Sequence, residues 1–272
     1  MIKTLRILCL FLGIYVPSPA SGNYPGGARS VALSNAFVSV SDSWSTFHNQ
    51  ATLAGIKNFS AGVFYESRFL VDELSLAAAT ATLPLLNGNV GLSFYQFGSG
   101  TYNETKFGFA YARQLSERWN AAVQMDYFMN RWPENEKAFG FATFEAGIVY
   151  RLNNEVVLGA HVFNPVKNGI TTYYGKEKMP LIARIGGHYE FADRVLISAE
   201  YAYNNDQTGQ VRTGLEFYPL QNLALRMGVS GRPLKYSAGL GYTIGGFTTD
   251  IAFSYHGNLG FSPSVSLQYR WK

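Results

Sequence analysis

The last nine residues alternate without a break: Ser264, Ser266, Gln268 and Arg270 separate Val265, Leu267, Tyr269 and Trp271. A strand points successive side chains to opposite faces, so this segment has one apolar face ending in aromatics and one polar face. The same alternation recurs through most of the chain in segments of about ten residues, the length a tilted strand needs to cross a bilayer. A closed barrel is the architecture that lets such strands sit in lipid without an unpaired edge.

The N-terminus supports an exported chain. Lys3 and Arg6 precede a short apolar run from Ile7 to Val16, and Ser18-Pro19-Ala20 supplies small residues for cleavage. This pattern predicts a signal peptide over residues 1–20 and a mature chain starting near Ser21. The run is too short for a spanning helix. Cys9 is the only cysteine and lies inside this leader, so no disulfide or cysteine–metal site is expected in the mature chain. Mean hydropathy is −0.03, which suits strands with one lipid face and one polar face. Net charge is +4 with no basic run, and no nucleic-acid partner is expected.

From residue 60 to 272 the pattern gives roughly fourteen strands. They begin near Ala61, Leu74, Val90, Lys106, Trp119, Ala142, Val156, Leu181, Val195, Val211, Leu223, Tyr236, Phe247 and Ser264. Short connections follow Gln114, Arg151, Glu190, Tyr218 and Ile244, and longer polar ones fall at 97–103, 131–138, 164–180, 204–209 and 256–260. This alternation predicts short periplasmic turns and longer outer loops. The fold expected is an all-β, fourteen-stranded antiparallel transmembrane barrel in the outer membrane of a Gram-negative cell, with outer-membrane lipid around it.

Within strands the faces are legible. The stripes Trp119-Ala121-Val123-Met125-Tyr127-Met129, Leu223-Leu225-Met227-Val229 and Tyr236-Ala238-Leu240-Tyr242-Ile244 should meet lipid. A charge at mid-bilayer costs about 2–4 kcal/mol, so charges should face the lumen. By alternation Asp126, Glu145, Arg184, Glu200, Arg212, Glu216, Arg226, Asp250 and Arg270 do so. Tyr65, Tyr150, Tyr189, Tyr255 and Trp271 stand near strand ends, where interfacial girdles form.

Residues 21–59 do not read as membrane strands. They run Gly26-Gly27-Ala28-Arg29, then Ala32-Leu33-Ser34-Asn35-Ala36, then Asp42, then His48-Asn49-Gln50-Ala51-Thr52-Leu53. This order resembles the N-terminal region of the FadL/PorV superfamily of outer-membrane proteins. The resemblance implies that residues 21–59 form a plug inside a barrel made by residues 60–272. It also implies one of two roles: a PorV/PorQ-like accessory of a secretion-type outer-membrane complex, acting through a protein partner, or a FadL-like passive channel for a small hydrophobic molecule. The family's proline is replaced here by Gln50, and the outer loops are short, which together place the accessory role first and the channel second.

Each reading names residues. Plug–wall contacts are expected among Arg29, Asp42, Asn49, Glu145, Glu200, Arg212, Glu216 and Arg226, with Arg29 reaching Glu145 or Glu200. The accessory role points to Tyr173, Tyr174, Lys176, Glu177 and Lys178 in the longest outer loop. The channel role requires an apolar pocket lined by Phe37, Trp44, Phe47 and Phe64, and a break in the wall. Ser254 and His256 both face inward, but two residues along a strand is about 7 Å, too far for a nucleophile and its base. No catalytic residue, metal ligand set or cofactor is expected.

Overall fold

The computed structural model describes residues 23–99, 102–131, 139–172 and 175–271, with the backbone alone for 171, 172, 175–177, 207 and 208. The leader assigned to residues 1–20, the aromatic pair Tyr173 and Tyr174, and residues 132–138 of one outer loop lie outside the described residues.

Among the described residues sixteen strands form: β1 (Ser60–Ser67), β2 (Ser75–Leu85), β3 (Gly88–Phe97), β4 (Asn103–Gln114), β5 (Trp119–Arg131), β6 (Phe139–Arg151), β7 (Val156–Phe163), β8 (Gly169–Thr172), β9 (Gly175–Lys178), β10 (Ile182–Phe191), β11 (Val195–Asn204), β12 (Gln207–Leu220), β13 (Leu223–Ser230), β14 (Lys235–Ile244), β15 (Phe247–His256) and β16 (Gly260–Arg270). Fourteen of them make one closed antiparallel barrel, and β8 pairs only with β9. The seam joins the first strand to the last, from Ser60 opposite Arg270 to Glu66 opposite Ser264. Registers shift at two places, between Ala202 and Asn204 and between Phe217 and Leu220.

Two expectations change. The stretch 164–180, read as a loop, contains the β8–β9 hairpin, with Gly169 opposite Lys178. The stretch 204–209, read as a longer loop, is a tight turn, because β12 already starts at Gln207 and pairs with Asn204. Elsewhere turn chemistry fits strand twist. Leu86-Asn87 and Ala192-Asp193 both carry two consecutive positive φ angles, and Gly245-Gly246 does the same. That is the backbone a two-residue hairpin with right-handed twist requires.

The outward faces are apolar: Val123, Met125, Leu225, Met227, Tyr236 and Leu240 are all exposed. Aromatic pairs mark both rims. Trp119 stacks near Tyr150 and Phe247 near Tyr269 at the short-turn end, while Tyr255 meets Phe261 at the long-loop end. Among the described residues no helix is long and apolar enough to cross a membrane.

Residues 23–55 lie inside the barrel. They form a short helix α1 (Ala28–Ala32) and two 3-10 turns, Ser43–Phe47 and Gln50–Gly55. Asp42 starts the first 3-10 turn, its carboxylate accepting from Trp44 N while its own N–H donates to Ser45 Oγ, and Asn49 starts the second by accepting from Ala51 N. Helix α1 faces β13–β16, and the second 3-10 turn faces β3–β6. They occupy much of the barrel interior.

Candidate functional site

The lumen has two unlike halves. On the side of β1–β7, Phe64, Tyr95, Phe97, Phe128, Phe141 and Phe163 point inward and pack with Trp44 and Phe47 of the inner segment. On the side of β12–β16 the wall is polar, and two cavities flank α1. The outer one, about 250 Å³, includes Arg68, Arg212, Lys235, Ser237 and His256. The inner one, about 360 Å³, opens at the short-turn end and includes Arg29, Asp42, Arg226, Asp250 and Arg270.

Three carboxylates seat the inner segment. Glu216 on β12 takes a two-pronged pair from Arg29, Nη2 to Oε1 at 2.6 Å and Nε to Oε2 at 2.9 Å. The same carboxylate also accepts from Arg226 Nε and from Tyr218 Oη. Arg226 continues to Asp250 at 2.7 Å, and Arg29 Nη1 reaches Asp42 at 3.2 Å. Arg29 therefore finds Glu216, not Glu145 or Glu200. The reason is the path of the backbone: α1 crosses the β13–β16 side, while Glu145 and Glu200 stand on β6 and β11.

Glu200 takes a different kind of partner. Its Oε2 accepts the backbone N–H groups of Phe37 and Val38 at 3.0 and 2.9 Å, and its Oε1 accepts from Arg212 at 3.1 Å. Glu145 is fully buried and collects Lys106 Nζ at 2.7 Å, His161 Nε2 at 2.7 Å and Gln50 Nε2 at 2.8 Å. Gln50, the residue that departs from the family's proline, thus supplies a side-chain donor that proline lacks. Asn49 Nδ2 donates to Val38 O at 2.7 Å and approaches Ile148 O and Ala160 O on the wall.

Smaller contacts complete the seat. Ser34 Oγ lies 2.9 Å from Ser237 Oγ, Ser39 Oγ 2.9 Å from His188 Nδ1, and Thr46 Oγ1 2.9 Å from Thr80 Oγ1. Ser43 donates to Gln268 at 2.6 Å. His48 Nε2 donates to Gly26 O inside the segment itself, and burial, then the nearby Arg184 charge, push its imidazole well below the usual range. Burial raises the Asp42 carboxyl against the pull of Arg29.

Among the described residues, the four aromatic candidates line none of the described cavities. Phe37, Trp44, Phe47 and Phe64 are each 3% exposed or less. Phe37 packs with Leu33, Val40 and Leu196, apart from Trp44, Phe47 and Phe64, which pack together. The wall beside them is continuous, since β1, β2, β3 and β4 pair along their lengths. Lys178 is exposed on the β8–β9 hairpin, whose backbone also carries Lys176 and Glu177. Lys106 escaped the sequence reading of inward charges. Its signal was present: it shares parity with Gly108 and Ala110 on β4, opposite outward Phe107 and Phe109.

These features define a transmembrane β-barrel whose lumen is occupied by its own N-terminal segment. No protein-family model matches the chain, and no curated protein matches it. Among solved structures it is similar to the Ralstonia pickettii toluene transporter TbuX, with TM-score 0.70 and 11% identity over 91% of this chain and 99% of that one. It is equally similar to a Pseudomonas aeruginosa FadL homologue, with TM-score 0.70 and 11% identity over 91% and 98% of the two chains. The P. putida toluene transporter TodX gives TM-score 0.65 and 13% identity over 91% and 99%. The fold is therefore that of FadL-type barrels.

Proposed function

We propose that this chain is a plugged, passive channel of the FadL type for small hydrophobic molecules, with residues 21–59 as its plug. The observation that supports it is the fold shared with hydrocarbon channels over nine-tenths of the chain, including the transporters named for toluene. In the described arrangement the aromatic half is packed and the wall is paired, so passage requires the plug to shift. The contacts that must break on the α1 side are polar: Ser34 with Ser237, Arg29 with Glu216, Glu200 with the Phe37 and Val38 amides. Hydrophobic flux and plug movement are thus one event.

A disulfide tests this directly. Cys9 is the only cysteine and lies in the leader expected to be cleaved on export, so Ser34→Cys with Ser237→Cys places the one reactive pair in the exported chain. Oxidation should bring toluene uptake by expressing cells down to the vector level, and reductant should restore it. Vector-level uptake by the reduced protein would remove the channel reading.

A second reading keeps the barrel static, as a PorV/PorQ-like accessory with a protein partner at the outer rim. The continuous wall and solid aromatic packing support it. Deleting residues 172–178, with Lys176, Glu177 and Lys178 and the Tyr173–Tyr174 pair, should then abolish co-purification of the partner while the barrel still folds. Unchanged co-purification would refute it.

A further inference from the structure

The outer cavity on the β12–β16 side differs from the rest of the lumen in charge. Its lining holds three basic side chains, Arg68, Arg212 and Lys235, against one carboxylate, Glu66. Arg68 is paired to Glu66 at 2.9 Å, and Arg212 to Glu200 behind the lining at 3.1 Å. Glu200 carries one negative charge whatever amides also donate to it, so it balances Arg212 and leaves Lys235 as the surplus cation. Lys235 makes no salt bridge with any described residue, although it is only partly exposed. A surplus of positive charge in a cleft with low-dielectric walls focuses its field on the cleft interior.

The rest of the lining has two chemistries. Ser230, Ser254 and Gln210 offer neutral hydrogen-bonding groups near the cations. Tyr24, Pro25, Val31 and Phe69 offer apolar surface. Phe69 is held in the lining by a strained turn. Both Phe69 and Leu70 have φ in the left-handed region, at 56° and 57°. Phe69 N donates to Ser262 Oγ at 3.0 Å, and its ring meets His256 edge to face at 6.2 Å. Left-handed backbone at two successive bulky residues costs about 1–2 kcal/mol each and persists where the surroundings over-determine it, typically at ligand clamps.

We propose that this cavity is a binding site for a small organic carboxylate, its carboxylate held by Lys235 and Arg212 and its body covered by Phe69 and Val31. The volume, about 250 Å³, lies below the roughly 300–1,000 Å³ of drug-sized pockets, so a single ring or short chain fits and a long acyl chain does not. The cavity lies at the long-loop end, directly above α1, so an occupant would touch the plug at Val31, Ser34 and Asn35. This goes beyond the channel reading: an anion can bind here whether or not hydrocarbon passes.

The test uses the full exported chain in mild detergent, with benzoate as probe and benzyl alcohol as its uncharged counterpart, followed by calorimetry. Benzoate should bind at least tenfold more tightly than benzyl alcohol, and added salt should weaken it. Lys235→Gln should lose about tenfold, and Lys235→Arg, which keeps the charge, should retain most of the affinity and so separate loss of charge from loss of fold. Equal binding of benzyl alcohol, an unchanged Lys235→Gln, or inorganic phosphate displacing benzoate at equal concentration would each overturn the proposal. Toluene uptake in the same variants reports on the channel reading separately.

Discussion

Arg29 of the inner helix and Glu216 of the barrel wall meet through two parallel hydrogen bonds, although 187 residues separate them in sequence. Geometry of this kind makes a guanidinium and a carboxylate a directional clamp, not merely a pair of opposite charges. Glu216 is nearly fully buried and also answers Arg226 and Tyr218, so removing one partner leaves the others mismatched. Breaking a buried pair of this sort costs about 3–5 kcal/mol. Arg29→Gln and Glu216→Gln should each raise the frequency of channel openings in planar bilayers by tenfold or more. The double variant should be far less than additive, and simple additivity would show that the two residues do not act together.

Gly228 gives a steric test of the same seat. A Cβ built there would stand 2.6 Å from the backbone carbon of Leu33 and 2.6 Å from Ser34 N. Backbone cannot yield as a flexible side chain can, so Gly228→Ala should displace the turn after α1 and speed hydrogen exchange across residues 28–36. Gly231 meets nothing within 4 Å, and Gly231→Ala should leave exchange unchanged.

The lipid face predicts a stability change with no change in the plug. Met125 is 68% exposed in the middle of β5. Met125→Arg should lower the folding free energy in bilayers by about 2–4 kcal/mol. Leu86→Arg, in a short turn outside the hydrocarbon, should cost less than about 0.5 kcal/mol. Equilibrium refolding from denaturant measures both.

On the channel reading, His48 gives closure a pH dependence. Its folded-state imidazole is held below its unfolded value by burial, so it favours the seated plug above about pH 6.5 and loses that contribution as pH falls. Channel openings should become more frequent between pH 7.5 and 5. His48→Gln keeps a donor for Gly26 O and should flatten the dependence. The difference between variant and parent isolates His48 from Asp42, whose carboxyl is raised by burial and acts in the opposite sense.

The barrel was readable because lipid imposes a rule on every strand. Any residue between Trp119 and Met129 faces hydrocarbon or lumen by parity alone, and the fourteen strands follow from repeating that rule. The β8–β9 hairpin escaped it because four-residue strands outside the membrane obey no such parity. The partner of Arg29 escaped for another reason. Parity tells which wall residues point inward, but several carboxylates do, and the choice among them depends on where α1 crosses. The aromatic candidates of the channel reading line none of the described cavities on similar grounds. Phe37, Trp44, Phe47 and Phe64 are the right chemistry for an apolar cavity, and the right chemistry for a dry core, and only packing separates the two.

The inward glycines have a consequence for how such a chain can vary. Gly239 leaves room for the Ala32 methyl, Gly214 for the Leu33 side chain, and Gly228 for the peptide that joins Leu33 to Ser34. Wall and plug are written in separate stretches, yet each of these positions is sized by the other. A larger residue at 32 is tolerable only with a retreat elsewhere, and a methyl on β12, β13 or β14 only with a slimmer helix. Among relatives, the sites around residues 32–34 and the three strand glycines should therefore change together or not at all, so that their covariation traces the plug's course through the lumen.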